Sequence, residues 1–352
     1  MKDERMTPLQ RVLTTLGQKE PDRVPLFLFP TLHGARELGL SIRDYFSVPE
    51  HVAEGQLKLY KKYRNDCLSA FYYGPIETEA WGGEVIFVED GPPNSGRPFI
   101  RSFDEIPQLR PPVVEETPCL SNVLKTIQIL KSEIGDNAPI NGVAISPFSL
   151  PIMQMGFDRY IELLYKRQDL FNSLMKVNEE FCVNWANAQI AAGATAICYF
   201  DPVSSPTIIP RNLFLQTGFK IAARTISRIK GPTAIHLASG RCLPIIEDLV
   251  KTGTQIVGTS ALEDLKDVKS ACRGRLTVLG NLNGIEMRHW TPDEAEKNVK
   301  TAIAKAGPGG GFILSDNHGE IPWQVPDDIL KAISDAVHTW GNYPLDWIGQ
   351  DE

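Results

Sequence analysis

Short apolar runs recur along this chain, and most of them end in polar residues. VPLFLFP, DCLSAFYY, PINGVAIS, ATAICYF, PTAIH, TQIVGTS, LTVLGN and GFILS read as eight strands. They are continuous runs rather than alternations, the pattern of a sheet covered by helices. From about residue 139 onward, helical sequence separates the runs with regularity. A long helical region passes through FDRYIELLYKRQDLFNSLMKVNEEFCVNWANAQIAAG, and IPRNLFLQTGFKIAARTISRIKG predicts an amphipathic helix opened by Pro210. Further helices are expected near Leu243, Leu262 and Thr291. The last is announced by an N-cap threonine, a proline at the first helical position and carboxylates in the first turn. Helical sequence also lies around Val52–Tyr63. Residues 82–118, rich in Pro and Gly, predict a hairpin and an irregular excursion rather than a linker. Together these elements predict one domain over residues 1–352, an (α/β)8 TIM barrel.

In such a barrel the strand C-termini open on one face, where active sites are built. AICYF runs into Asp201, TAI into His236, TVLG into Asn281, and GFIL into Ser315-Asp316-Asn317-His318. Asp, His, Asn and His from separate strands then converge on one mouth, which points to an enzyme. Asp201, His236 and His318 are the candidate catalytic residues. Neutral imidazole and carboxylate also suit Zn²⁺, so the same three are the candidate metal ligands, although they lack the close spacing of a zinc signature. Tyr72, Tyr73, Asn281, Asn317 and Glu320 are candidate pocket residues. Trp81, Trp323, Met153 and Met155 are available to wall an apolar pocket or to pack in the core.

A net charge of -7 argues against a nucleic-acid partner. No apolar stretch approaches the length that spans a bilayer, and the charged N-terminus lacks the apolar core of a secretory signal, so a cytoplasmic protein is expected. The six cysteines are scattered without CxxC spacing and read as reduced structural thiols, with Cys242, just after His236, the one to watch.

The same segments resemble the uroporphyrinogen decarboxylase superfamily, including its cobalamin-dependent methyltransferase branch. The likeness begins at MTPLQRVLTTLGQKEPDRVP and continues through EAWGGEVIF, SPFSLPIMQMGFDRYIELLYKRQDL, FDPVSS, IHLASG, LGNLNG and ILSDNHGEIP. It implies an (α/β)8 barrel and leaves a homodimer open. True decarboxylases carry an arginine-bearing stretch and an aspartate after the second strand. Here those places hold Leu32-His33-Gly34-Ala35-Arg36 and Phe71-Tyr72-Tyr73-Gly74, with one arginine and the aspartate missing. Thiol methyltransferases of the superfamily hold zinc through His-x-Cys and a later Cys-Gly. This chain matches the histidine at His236 but has Ala238 and His318 in the cysteine positions.

The resemblance therefore implies an O-demethylase-like methyltransferase. It would move a methyl group from a small methoxylated, aromatic compound to a cob(I)alamin-carrying corrinoid protein. Zinc or a histidine acid would activate the ether oxygen. The chain lacks the Asp-x-His-x-x-Gly cobalamin pattern, so the cobalamin belongs to a separate carrier partner. A decarboxylase of another polyacid, a methylcorrinoid-to-thiol methyltransferase and a tetrapyrrole-binding chaperone on an inactive barrel remain as alternatives.

Overall fold

The computed structural model describes residues 6–350. Eight parallel strands carry the architecture: β1 (Leu26–Phe27), β2 (Leu68–Ser69), β3 (Ile140–Ile145), β4 (Ala196–Phe200), β5 (Thr233–His236), β6 (Ile256–Gly258), β7 (Thr277–Leu282) and β8 (Phe312–Asp316). Each of the eight apolar runs read from the sequence supplies one of them. Neighbours pair in chain order from β2 to β8, and β8 pairs with β1, so the sheet curls into a nearly closed barrel.

α1 (Pro8–Leu16) lies at the N-terminal end of the barrel. Around the wall run α2 (Pro49–Tyr63), α3 (Pro118–Ile134), α4 (Gln168–Ala192), α5 (Gly218–Ile226), α6 (Ile246–Leu249), α7 (Leu265–Cys272), α8 (Pro292–Ala306) and α9 (Asp327–Trp340). Local chemistry fixes several starts. Thr7 with Gln10, and Thr291 with Glu294, form capping boxes with proline at the first helical position. The main core lies between strands and helices, where Trp185, Tyr199, Phe312 and Leu314 are almost fully buried.

β1 and β2 share no ladder, and side chains close that seam. Leu28 N–H donates to Asn65 Oδ1 at 3.2 Å, and Leu26 N–H donates to Asp66 Oδ2 at 2.7 Å. Asp66 in turn pairs with Arg11 and Arg23, each at 2.6 Å.

Three expectations shift in detail. The helix expected through residues 208–231 breaks at Thr217 into Arg211–Gln216 and α5. There Gly218 approaches Ser204 so closely that a Cβ would overlap its hydroxyl, with Phe148 in tight contact beside it. Pro210 is the N-cap of the first piece rather than its first residue. The helix expected near Leu262 starts at Leu265, because Asp264 caps it by accepting the Lys266 N–H at 2.8 Å. In the 82–118 excursion, Val85–Ile86 and Asn94–Ser95 pair as an antiparallel hairpin whose tip returns to the barrel mouth. Among the described residues no helix is long and apolar enough to cross a membrane.

Candidate functional site

A cavity of about 680 Å³ opens at the C-terminal face and extends down the barrel axis. Phe29, Phe71, Phe200, His236, His318 and Glu320 line its upper part; Ile256, Leu279, Ile313 and Val12 line it further down. Among the described residues no lysine or arginine lines it.

His236 ends β5 facing inward. Its ring stacks on Phe200, with centroids 5.6 Å apart and planes at 19°. Gly258 on β6 makes room for the imidazole, since a Cβ there would overlap it. His236 Nδ1 accepts the Ala238 N–H at 3.1 Å. Burial, with a smaller contribution from the nearby His318, holds its pKa down to about 4, so the ring is neutral at neutral pH. His318 follows β8 and is half-buried, and desolvation lowers its pKa too. Its Nδ1 faces the Ser239 hydroxyl. Asn317 is clamped beside it. With the amide oriented to satisfy its neighbours, Nδ2 donates to Leu282 O at 3.0 Å and to His318 Nε2 at 3.1 Å, and the oxygen accepts the Ala261 N–H at 3.1 Å. Asn317 therefore orients His318 and does not reach into the cavity.

Two carboxyl groups accompany the imidazoles. Asp316 Oδ1 accepts the Phe29 N–H at 3.2 Å, whereas Oδ2 is buried at the cavity wall without a hydrogen-bond partner. Burial pushes its pKa up to about 6. Glu320 is enclosed by protein but opens onto the cavity, and its carboxyl is hydrogen-bonded by the Thr31 hydroxyl. Desolvation, with a smaller push from Asp316, raises it to about 8. At neutral pH the proton at this mouth therefore sits on Glu320 rather than on a histidine.

The expected Asp201–His236–His318 set is not assembled as a metal site. Asp201 is fully enclosed; Ser146 and Ser149 hydroxyls donate to Oδ1 at 2.5 and 2.6 Å, and Ser204 donates to Oδ2 at 2.5 Å. Both oxygens are thus turned into a serine cluster, away from the imidazoles. With His318 engaged at both nitrogens and His236 at Nδ1, only one ligating atom of the three residues is left open. Among the described residues no group of three His, Cys, Asp or Glu side chains is placed to hold a metal. The donor set does not fit zinc.

Other expected pocket residues also point elsewhere. Tyr72 hydroxyl meets Thr126 Oγ1 at 2.7 Å, and Tyr73 donates to Glu79 at 2.6 Å, both in the wall behind the cavity. The neighbour facing inward is Phe71. Asn281 donates to the carbonyls of Ser260 and Glu263, at 2.9 and 3.0 Å, and holds the loop after β6. Met153 lines the cavity, while Met155 is buried in the core, Trp81 packs on Phe181, and Trp323 carries Arg36 over its ring. Cys242 is fully buried beside Glu263. Asp316, Thr31 and the phenylalanine rim were not singled out from sequence. Asp316 was visible only as one letter of the polar run after β8.

The family model for uroporphyrinogen decarboxylase (URO-D) matches residues 7–340. A uroporphyrinogen decarboxylase of Xylella fastidiosa is 27% identical over 350 residues, covering 93% of this chain and 97% of the relative. A methylcobamide:CoM methyltransferase of Methanosarcina barkeri is 24% identical over 333 residues, covering 92% and 95%. Among solved structures, a methyltransferase from Methanosarcina mazei superposes with a TM-score of 0.84 at 21% identity, covering 95% of this chain and 99% of that one. That likeness establishes the shared fold.

Proposed function

Since the chain belongs to the uroporphyrinogen decarboxylase family, we propose that it is a methyltransferase of that family, demethylating a methoxylated, uncharged or weakly charged compound and passing the methyl group to a corrinoid protein. The observation that carries this reading is the wall of the cavity. Among the described residues it offers apolar side chains, two carboxyl groups and two neutral imidazoles, but no cation. A porphyrinogen with its array of carboxylates would have to be desolvated beside Asp316 without a compensating positive charge, at a cost of several kcal/mol per ion. A polyacid decarboxylase is disfavoured on the same ground. A thiol acceptor is disfavoured because no cysteine stands beside His236 or His318 to hold a thiolate-activating metal.

The corrinoid cobalt of the carrier supplies the nucleophile that takes the methyl group. The work left to this chain is to hold the ether at the mouth and to help the oxygen leave. As the carbon–oxygen bond breaks, negative charge develops on that oxygen. Glu320 carries a proton at neutral pH and faces the cavity, so it serves as the general acid, ending as a carboxylate that solvent reprotonates. Thr31 orients it. His236, stacked on Phe200 and accepting the Ala238 N–H at Nδ1, offers its neutral Nε2 side at the mouth, and His318 is held beside it by Ser239 and Asn317. Asp316, held through Oδ1 by the Phe29 N–H, places a second carboxyl in the cavity wall beside Glu320. Asp201 supports the loop after β4 through its serines.

The test is methyl transfer from a panel of methoxylated aromatics to chemically reduced cobalamin, followed by cobalamin absorbance and release of the phenol. Wild-type protein should transfer methyl groups, and Glu320→Gln should be slower by on the order of 100-fold or more. Absence of transfer across the panel, with decarboxylation of uroporphyrinogen instead, would overturn the reading. Full activity in Glu320→Gln would remove the assigned acid.

A further inference from the structure

The interior of a (β/α)8 barrel is ordinarily filled by layers of large branched side chains. This one is hollow. Along β4, Ile197 and Tyr199 point outward and are completely buried, whereas Ala196, Cys198 and Phe200 point to the axis and keep partial exposure. In β3, Asn141 and Val143 do the same, between buried neighbours. On these two strands exposure alternates with period two, higher inside the barrel than outside, so open space lies beside them on the axis.

Residue size explains it. One side of the lumen is walled by Ala196, Cys198 and Ala234, and Cys67 is equally small, while Ile256 on the strand beside Ala234, and Leu279 and Ile313 farther round the barrel, leave the gap unfilled. The floor is formed by Val12 and Leu16 of α1, and the lining continues to Leu13, which is half exposed on the far face. Polarity is graded along the axis. His236, His318, Asp316 and Glu320 gather at the mouth, and below them the lining is mostly hydrocarbon, with Asn141 and Thr195 the polar exceptions near the floor. An apolar lumen gives water few partners, so filling it with hydrocarbon is favourable. Its volume of about 680 Å³ lies in the range of small-molecule sites.

We propose that the barrel lumen binds the apolar body of the methyl donor, so that the donor is an amphiphile, an alkyl-bearing aryl methyl ether, which enters tail first and leaves its methoxy end among the polar groups at the mouth. Only the identity of the reactive end rests on the methyltransferase reading; the tail site rests on the lumen itself. The orientation is chemically consistent. A carrier too large to enter the barrel can meet the methyl group only at the mouth.

The experiment is calorimetric binding of 4-alkylanisoles of increasing chain length to the purified protein, with no corrinoid present. Dissociation constants should fall about fourfold per methylene until the lumen is full. Ala234→Leu and Ala196→Leu, made separately on two strands, should bring the plateau to shorter chains. Circular dichroism checks that each variant is folded, and the wild-type series stands as a test even if neither is. A flat series in the wild type, or a plateau that neither folded variant moves, would overturn the proposal. The two readings fail separately. Chain-length-dependent binding without methyl transfer to cobalamin would keep the lumen site and remove the methyltransferase. Methyl transfer from short ethers with a flat binding series would do the reverse.

Discussion

Asp66 stands in for a strand partner of Leu26: its carboxylate accepts the Leu26 N–H at 2.7 Å while its own N–H donates to the Leu26 carbonyl at 2.8 Å. The barrel is thereby closed at the one seam where two strands share no ladder. Both carboxylate oxygens also meet guanidinium groups, Arg11 at 2.6 Å and Arg23 at 2.6 Å, with Arg11 and Asp66 side chains entirely buried. Asp66→Ala removes the carboxylate shared by two buried guanidinium groups, although Arg11 keeps Asp22, and reopens the seam. It should cost about 3–5 kcal/mol of unfolding free energy, measured by urea denaturation. Asp66→Asn, which keeps an acceptor for Leu26 but loses the charge, should be milder than Asp66→Ala. Equal losses would show that the seam hydrogen bond contributes nothing of its own.

The three serine hydroxyls on Asp201 make a second prediction. If the residue is a structural acceptor, Asp201→Ala leaves Ser146, Ser149 and Ser204 without their shared partner and should cost about 3 kcal/mol. Added zinc should then raise the melting temperature of wild type and variant equally little. A zinc-dependent stabilisation present in the wild type and lost in Asp201→Ala would restore the carboxylate as a ligand and refute the serine-cluster account.

The strand set was legible because each strand is an apolar run bounded by Gly, Pro or a polar end, and strand–helix alternation in this number admits few topologies. Phase was not legible. In FYY after β2 every residue is aromatic, and only the barrel decides that Phe71 faces the lumen while Tyr72 and Tyr73 pack behind it. Likewise Ala196 and Ala234 look like any small core residues, yet their inward placement empties the barrel. Asp201 was placed correctly at a strand end, but the serines that occupy it lie 52–55 residues away in sequence or one turn along, and no spacing rule announces them. His236 and His318 do meet at the mouth, as expected from the strand ends. The Asp-Arg-Val-Pro stretch, recognisable as a family feature, proves to be seam chemistry: Asp22 holds Arg11 and Arg23 holds Asp66.

Glu77 supplies the last prediction. It is buried behind β3, where its Oε1 accepts the Ile145 N–H at 2.8 Å. Burial pushes its pKa up to about 8 from an ordinary 4.5, against the opposing pull of that hydrogen bond and of the Trp185 indole. The folded protein therefore holds a proton that the unfolded chain releases near pH 4.5. The stability this provides is complete below pH 4.5 and is lost as pH rises through about 8. Histidines with depressed pKa values, His33 and His236 at about 4, act in the opposite direction, but only below their ordinary value of 6.5. Between pH 6.5 and 8 the raised carboxyls dominate, Glu320 adding to Glu77. Unfolding free energy should fall across that window, with Glu77 accounting for roughly 2 kcal/mol. Glu77→Gln keeps the acceptor and removes the titration, so its urea midpoint should fall less over the same interval. Parallel pH profiles for wild type and Glu77→Gln would mean that Glu77 is already ionised in the folded protein at pH 6.5.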